Sequence, residues 1–346
     1  MGKRYPYQET EVQNPDIQKT FFGQELEVFH TPITPRENAL LLYQGKKPLW
    51  APNRMTDFNM LMFDVDLDNK ARGPEGGTDK MGIEWVYVPV AGGSMVKPGN
   101  PVVKDINHWE DYIQMPDVDS WDWAGCYERQ KDQLDPNRVN IAGMLGNYFE
   151  RLISLMDFDN AAVAMIDEEQ QEGVHRLFRE LTKVYKKMIS YMKQYFDIDM
   201  INFHDDWGSQ RASFFSRETA EEMLLPYMKE IADHMHSLGI YFDFHCCGFV
   251  ENLVPIMIEA GMDSWGGQEL NDKWALKQKY QDQLIFTDTP LVPDDATEEE
   301  TQRAVDEFMK KSGADNKILV EPFTGPKCLT EKLYTATRRN AADVEI

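Results

Sequence analysis

The chain is poor in the features that would send it out of the cell or into a membrane. Residues 1–30 carry Glu9, Glu11 and Asp16 and no apolar run that could form a signal-peptide core. Nowhere do about 18 apolar residues follow one another, so no transmembrane helix is predicted. Cysteine is scarce, with four residues: Cys126, Cys246, Cys247 and Cys328. Two of these are adjacent, a poor basis for a disulfide framework, and free thiols or metal ligands are expected instead. Basic residues are also few: 36 Lys and Arg against 59 Asp and Glu give a net charge of −23. Such a surface repels nucleic-acid phosphates and anionic lipid. A soluble cytoplasmic protein is therefore expected, with neither nucleic acid nor membrane as partner.

Other absences narrow the chemistry. There is no internal repeat, which removes solenoids and propellers. The glycine-rich stretch through Gly73, Gly76 and Gly77 lacks the Gly-Lys-Ser/Thr ending of a phosphate loop, and no Gly-x-Ser-x-Gly elbow supports a serine hydrolase.

From about residue 140 onward, short apolar runs alternate with long amphipathic stretches, the pattern of βα units on a parallel sheet. Strands are predicted at Asn140–Gly146, Met200–Asp206, Ile240–Cys247, Ser264–Gln268, Leu284–Thr289 and Lys317–Pro322. Between them Val174, Leu177, Leu181, Val184, Met188 and Met192 recur at helical steps, as do Leu224, Met228, Ile231, Met235 and Leu238. Gly239 should end the second helix and Pro226 should kink it near its start, while Thr297 and Glu300 form a capping box for a third. Earlier in the chain a helix is expected at Arg36–Tyr43, a strand at Pro48–Ala51 and a hairpin arm over Met81–Pro89. One strand of eight is then missing, to be sought in residues 55–65 or 160–167. The expected fold is α/β, a single (β/α)₈ TIM barrel over residues 31–346 with an N-terminal arm over 1–30. A doubly wound open sheet is the alternative, against which no Gly-rich dinucleotide fingerprint follows a strand.

In His245-Cys246-Cys247-Gly248 an imidazole and a thiol stand two residues apart at a predicted strand end. Residues i and i+2 of a strand point to one side, so His245 and Cys247 supply half of a tetrahedral zinc site and Cys246 faces away. Cys328 follows the last predicted strand, and in a closed barrel the loops after different strands meet on one face. Three protein ligands leave one position open, which is the catalytic type of zinc site. Spacing alone leaves open that these cysteines are small core residues.

The words Asp205-Asp206-Trp207-Gly208-Ser209-Gln210, Ser216 to Pro226, His236-Ser237-Leu238-Gly239, His245-Cys246-Cys247-Gly248 and Gly261-Met262-Asp263 resemble the uroporphyrinogen decarboxylase superfamily, specifically its branch of corrinoid-linked zinc methyltransferases. The likeness is traceable over about residues 33 to 340. It implies a zinc site of His245, Cys247 and Cys328, a methyl group exchanged with a corrinoid (cobalamin) carried by a partner protein, and a small methylated compound as the other reactant. The decarboxylase branch carries a Met-Arg-Gln-Ala-Gly-Arg-Tyr segment whose arginines hold substrate carboxylates. Here the corresponding stretch keeps only Arg54, which speaks against decarboxylation.

His204 and Asp206 close a predicted strand and are the candidate catalytic groups, either for moving a proton or for orienting the metal site. Trp207, Gln210 and Gln268 are candidate substrate-binding residues in the following loops, with Glu269 and Glu321 nearby in the pattern. The resemblance implies a methyltransferase, in either of two directions: demethylation of a compound such as an aromatic methyl ether, or transfer from the corrinoid to a thiol of the coenzyme M type. A divergent decarboxylase and a non-catalytic tetrapyrrole-binding barrel are the remaining alternatives.

Overall fold

Runs of β-branched, aromatic and Met residues with few charges form the sheet at the centre of the molecule, the composition expected of strands buried on both faces. The structure, a computed structural model, describes residues 2–19, 25–67, 70–71, 73–91, 93–313 and 315–346. Among these residues six strands form one sheet: β1 (Phe58–Leu61), β2 (Val139–Met144), β3 (Met200–His204), β4 (Tyr241–Cys246), β5 (Ser264–Gly267) and β6 (Ile285–Phe286). They lie in chain order, and every neighbouring pair is parallel. Two parallel bridges continue the order, Thr287 to Leu319 and Val320 to Asn53. Strand positions therefore number eight, and the architecture is the (β/α)₈ TIM barrel.

The missing strand is β1, inside the first of the two windows expected for it. The second window, residues 160–167, begins within the helix Phe158–Ala164 and holds no strand. The strand expected at Pro48–Ala51 lies slightly later, pairing at Asn53 through Val320 N–H to Pro52 O and Arg54 N–H to Val320 O. Met81–Pro89 contributes the strand Glu84–Val88, which pairs antiparallel with Gly93–Val96 as a hairpin outside the barrel.

The helices follow their stripes. In α1 (Pro35–Tyr43) Thr34 and Glu37 form a capping box. The long α3 (Gln171–Phe196), which follows α2 (Tyr148–Met156), buries Val174, Leu177, Leu181, Val184, Met188 and Met192. Each such side chain contributes roughly 1.5–3 kcal/mol of burial. Pro226 does not kink α4 (Leu225–Ser237). It occupies the first turn, where the missing N–H costs nothing, and a separate helix, Arg217–Met223, precedes it. The later helices are α5 (Val254–Glu259), α6 (Lys273–Tyr280), α7 (Glu298–Ser312) and α8 (Cys328–Arg339). No described helix is long and apolar enough to cross a membrane.

Strand register stacks the barrel interior in layers. Met200 faces Tyr241 near the floor, where Tyr43 packs on Tyr241 with ring centroids 4.7 Å apart. Above them Asn202, Asp243 and Ser264 are in register, and above those His204, His245 and Gly266. Arg54 enters the middle layer and donates to Asp243 Oδ1 at 2.7 Å. The N-terminal segment, which includes the hairpin Asp16–Lys19 with Glu25–Val28, is pinned outside by Glu11. Both Glu11 carboxylate oxygens accept from the Arg338 guanidinium at 2.8 Å, a buried bidentate pair.

Candidate active site

The uppermost interior layer carries the chemistry because two parallel strands present histidines at the same level. His204 on β3 and His245 on β4 are register partners, and their rings stack at 4.1 Å with 17° between planes. The third member of the layer is Gly266, which leaves the space beside His245 open. Two residues beyond His245, Cys247 brings Sγ to 3.4 Å from His245 Nε2. Two residues beyond His204, Asp206 accepts the Cys247 backbone N–H at 2.7 Å.

The surroundings set the charge state of each group. Burial, with the charges of His204 and Arg54, lowers the pKa of His245 to about 3, so its imidazole is neutral and can donate a lone pair. Burial works against a charged His204 too, but Glu150 Oε2, at 3.3 Å from Nδ1, and the Asp206 and Asp205 carboxylates outweigh it and raise the pKa. The Cys247 thiol is pushed well up by burial and by the neighbouring Asp206 carboxylate. Asp205 accepts from Phe149 N, Glu150 N and Trp207 Nε1, which ties the start of α2 to the loop after β3, and burial with the Glu150 charge raises its pKa to about 8.

This donor set fits a soft divalent cation. Zinc held at about 2.0–2.1 Å by an imidazole and about 2.3 Å by a thiolate, at a tetrahedral angle, separates the two ligand atoms by about 3.5 Å. The spacing between His245 and Cys247 is 3.4 Å. A cation here would also relieve the repulsion that holds the Cys247 proton.

Two glycines hold the site-bearing loops together. Gly248 has φ +87, and a Cβ built on it would lie 2.1 Å from the backbone of Gly208. The loop after β4 therefore crosses the loop after β3 at contact distance, and Phe249 N–H donates to Ser209 O at 2.8 Å. Gln268 Oε1 accepts from Gly248 N at 2.9 Å, and Asn271 donates to Gly248 O at 3.0 Å and accepts from Val250 N.

Of the residues singled out from sequence, His204, Asp206 and His245 have ligand atoms within 4.8 Å of one another, with Cys247 beside His245. Cys328 is the half-buried first residue of α8, and that cluster does not contain it. Gln268 lines the cleft beside His245 while bracing Gly248. Gln210 is exposed in its loop. Trp207 departs from expectation: it is fully buried, with its ring on Phe244 at 4.7 Å, so it supports the loop from the outer core and offers no face to the mouth. Its indole turns inward because Asp205, also fully buried, accepts its N–H. Cys246 is likewise buried in that core, where it receives the Trp207 N–H at 3.3 Å.

Several site residues were not read from the sequence. Glu150 reaches His204 across 54 positions of chain, with only its place just after a predicted strand as a signal. Lys273 and Asp288 line the same cleft as His245 and are paired at 2.7 Å.

The family model for Uroporphyrinogen decarboxylase (URO-D) matches residues 78–319. No curated protein sequence matches the chain. Among solved structures, a methyltransferase from Methanosarcina mazei is similar with a TM-score of 0.60 at 13% identity, over 88% of this chain and 98% of that one. The IOLI protein, solved with a bound zinc atom, has a TM-score of 0.34 at 12% identity over 70% and 86% of the two chains.

Proposed function

The chain belongs to the uroporphyrinogen decarboxylase (URO-D) family, and on that premise we propose that it is a zinc-dependent methyltransferase that moves a methyl group between a small methylated compound and a corrinoid carried by a partner protein. The observation that carries this reading is the pair of His245 Nε2 and Cys247 Sγ, 3.4 Å apart at an open barrel mouth. A soft pair at the strand ends is of little use to a decarboxylase that works by holding carboxylates, and it suits a metal that activates a methyl-bearing atom. Arg54, the arginine retained from the decarboxylase pattern, is buried and spent on Asp243.

In this proposal His245, Cys247 and Cys328 hold the zinc. When bound, it supplies Lewis-acid polarisation of the oxygen or sulfur involved in transfer. The rest falls to the chain. Asp206 fixes the Cys247 backbone and so the direction of its thiol. His204, with Nδ1 on Glu150, keeps Nε2 to hand a proton to an oxygen that departs from methyl, or to take one from an arriving thiol. Of the two directions we favour demethylation, with an aromatic methyl ether as the model donor.

The test is turnover. Methylated candidates are incubated with the protein and a reduced corrinoid protein while the cobalt absorbance is followed. Methylation of cobalt that requires the protein and its metal is expected. Metal-replete protein that leaves cobalt unchanged with ethers, and methylcobalt unchanged with thiols, would contradict the proposal.

A further inference from the structure

We infer that the barrel mouth takes neutral or cationic methyl compounds and rejects acids; this charge class deepens the methyltransferase reading and rests on it. The cation that lines the cleft is already engaged by carboxylates of the protein. Beside His245 lies a cleft of about 220 Å³ whose polar wall includes Gln268, Glu269, Lys273, Thr287, Asp288 and Glu321. Lys273 is buried, and its ammonium meets Glu269 Oε1 at 2.5 Å, Asp288 Oδ1 at 2.7 Å and Gly267 O at 3.4 Å. Its described contacts are thus all to the protein itself, two as hydrogen bonds and the one to Asp288 as an ion pair.

The second cation near the cleft is Arg54. Its Nη2 donates to Asp243 Oδ1 at 2.7 Å and its Nε lies 3.7 Å from Glu321 Oε1. Asp243 is in turn held by Asn202 and Ser264, each at 2.6 Å, so this guanidinium is fixed below the mouth. In the described lining three carboxylates (Glu269, Asp288 and Glu321) thus stand against one cation, Lys273, an excess of two negative charges, while Arg54 and Asp243 offset each other below it. Asp206 adds another beside Cys247. Within the described lining of this cleft a substrate carboxylate would meet like charge and one cation, Lys273, which already has carboxylates of its own, and would lose its hydration for little in return. The rim, by contrast, is apolar, with Pro290, Leu291, Pro322 and Phe323. An uncharged ring or an alkylammonium group suits an apolar rim above an acidic wall. A thiol acceptor that bears a sulfonate, as coenzyme M does, falls on the rejected side, which favours the demethylating direction.

The experiment compares three compounds with the same methyl ether and ring: 3-methoxybenzylamine, 3-methoxybenzyl alcohol and 3-methoxybenzoate. Their dissociation constants are measured by calorimetry on the protein as purified with its metal. The acid should bind at least about tenfold more weakly than the alcohol, and the amine at least as well as the alcohol. Glu269→Gln, which removes one of the carboxylates on Lys273, should narrow the gap between acid and alcohol. An acid that binds as tightly as the alcohol overturns the inference. A second measurement does not depend on a methyl ether being the substrate: the rates at which iodoacetamide and iodoacetate label Cys247 in chelated protein, read by peptide mass and divided by the same ratio on 2-mercaptoethanol. A neutral-over-anionic preference of about tenfold is expected, and a ratio equal to that of the free thiol overturns the inference. If the preference holds while none of the three rings binds, the charge class stands and the aromatic-ether part of the proposed function is what fails.

Discussion

The wall of the mouth built by β3 and β4 and the wall built after the last strand position differ in how far apart their parts lie in the chain. On the first, His204, Asp206, His245 and Cys247 come from neighbouring strands in register, and the contact between Gly208 and Gly248 locks the two loops at one distance. On the second, Glu321 follows the single bridge at Val320, and Cys328 waits at the first turn of α8 beyond the turn at Gly325, whose N–H is held by Asp294. The first wall is thus set by backbone geometry. The second is set by a loop, and in our account the metal joins them.

The largest effect should come from removing a soft ligand on either wall. Cys247→Ala and Cys328→Ala should each lower zinc to under about a tenth of an ion per chain and abolish methyl transfer, while Cys246→Ala, whose thiol faces the outer core, keeps both. Elemental analysis of the three purified variants decides this, and equal losses in all three would break the distinction between the faces of β4.

The two turns offer the next comparison. Gly248→Ala puts a Cβ into the Gly208 backbone at positive φ and should destabilise the fold by about 2–4 kcal/mol. Gly325→Ala also sits at positive φ but meets the movable end of Leu329, so about 1–2 kcal/mol is expected. Urea unfolding midpoints measure both. A Gly325 variant as damaged as the Gly248 variant would show that the far wall is just as tightly set.

Much of this was legible in the sequence, and the rest was hidden for identifiable reasons. Strands β2 to β5 are buried on both faces and therefore read as short apolar runs between helices, and the step of two from His245 to Cys247 needs only strand geometry to be interpreted. Strand β1 was blurred because Phe58–Leu61 carries Asn59 on its outer face, where it bonds Asn140 of β2. Trp207 was misread since its burial depends on Asp205 and Phe244, neither of which announces a contact in sequence. Glu150 and Lys273 reach the mouth only through strand order, and one sequence carries no record of which loops will face each other.

Within the first wall, Asp206→Asn should keep the zinc and the fold and lose about 10²-fold in turnover, because the Cys247 backbone loses a charged acceptor and the mouth loses a carboxylate. Wild-type turnover in that variant, measured with the natural donor, would make Asp206 purely structural. The smallest effect is expected at Gln268→Ala, which removes the acceptor for Gly248 N–H and should cost about 1 kcal/mol in a urea unfolding measurement. A loss of several kcal/mol there would mean that Gln268, rather than the Gly208 contact, sets the loop.

The central claim is that one metal joins the two walls through one imidazole and two thiolates. X-ray absorption at the zinc edge of the protein as purified tests it most directly. The account predicts about one zinc per chain with two sulfur ligands at about 2.3 Å and a nitrogen at about 2.0–2.1 Å. A shell of nitrogen and oxygen alone, as His204, Asp206 and His245 would supply, or the absence of any bound transition metal, would contradict it.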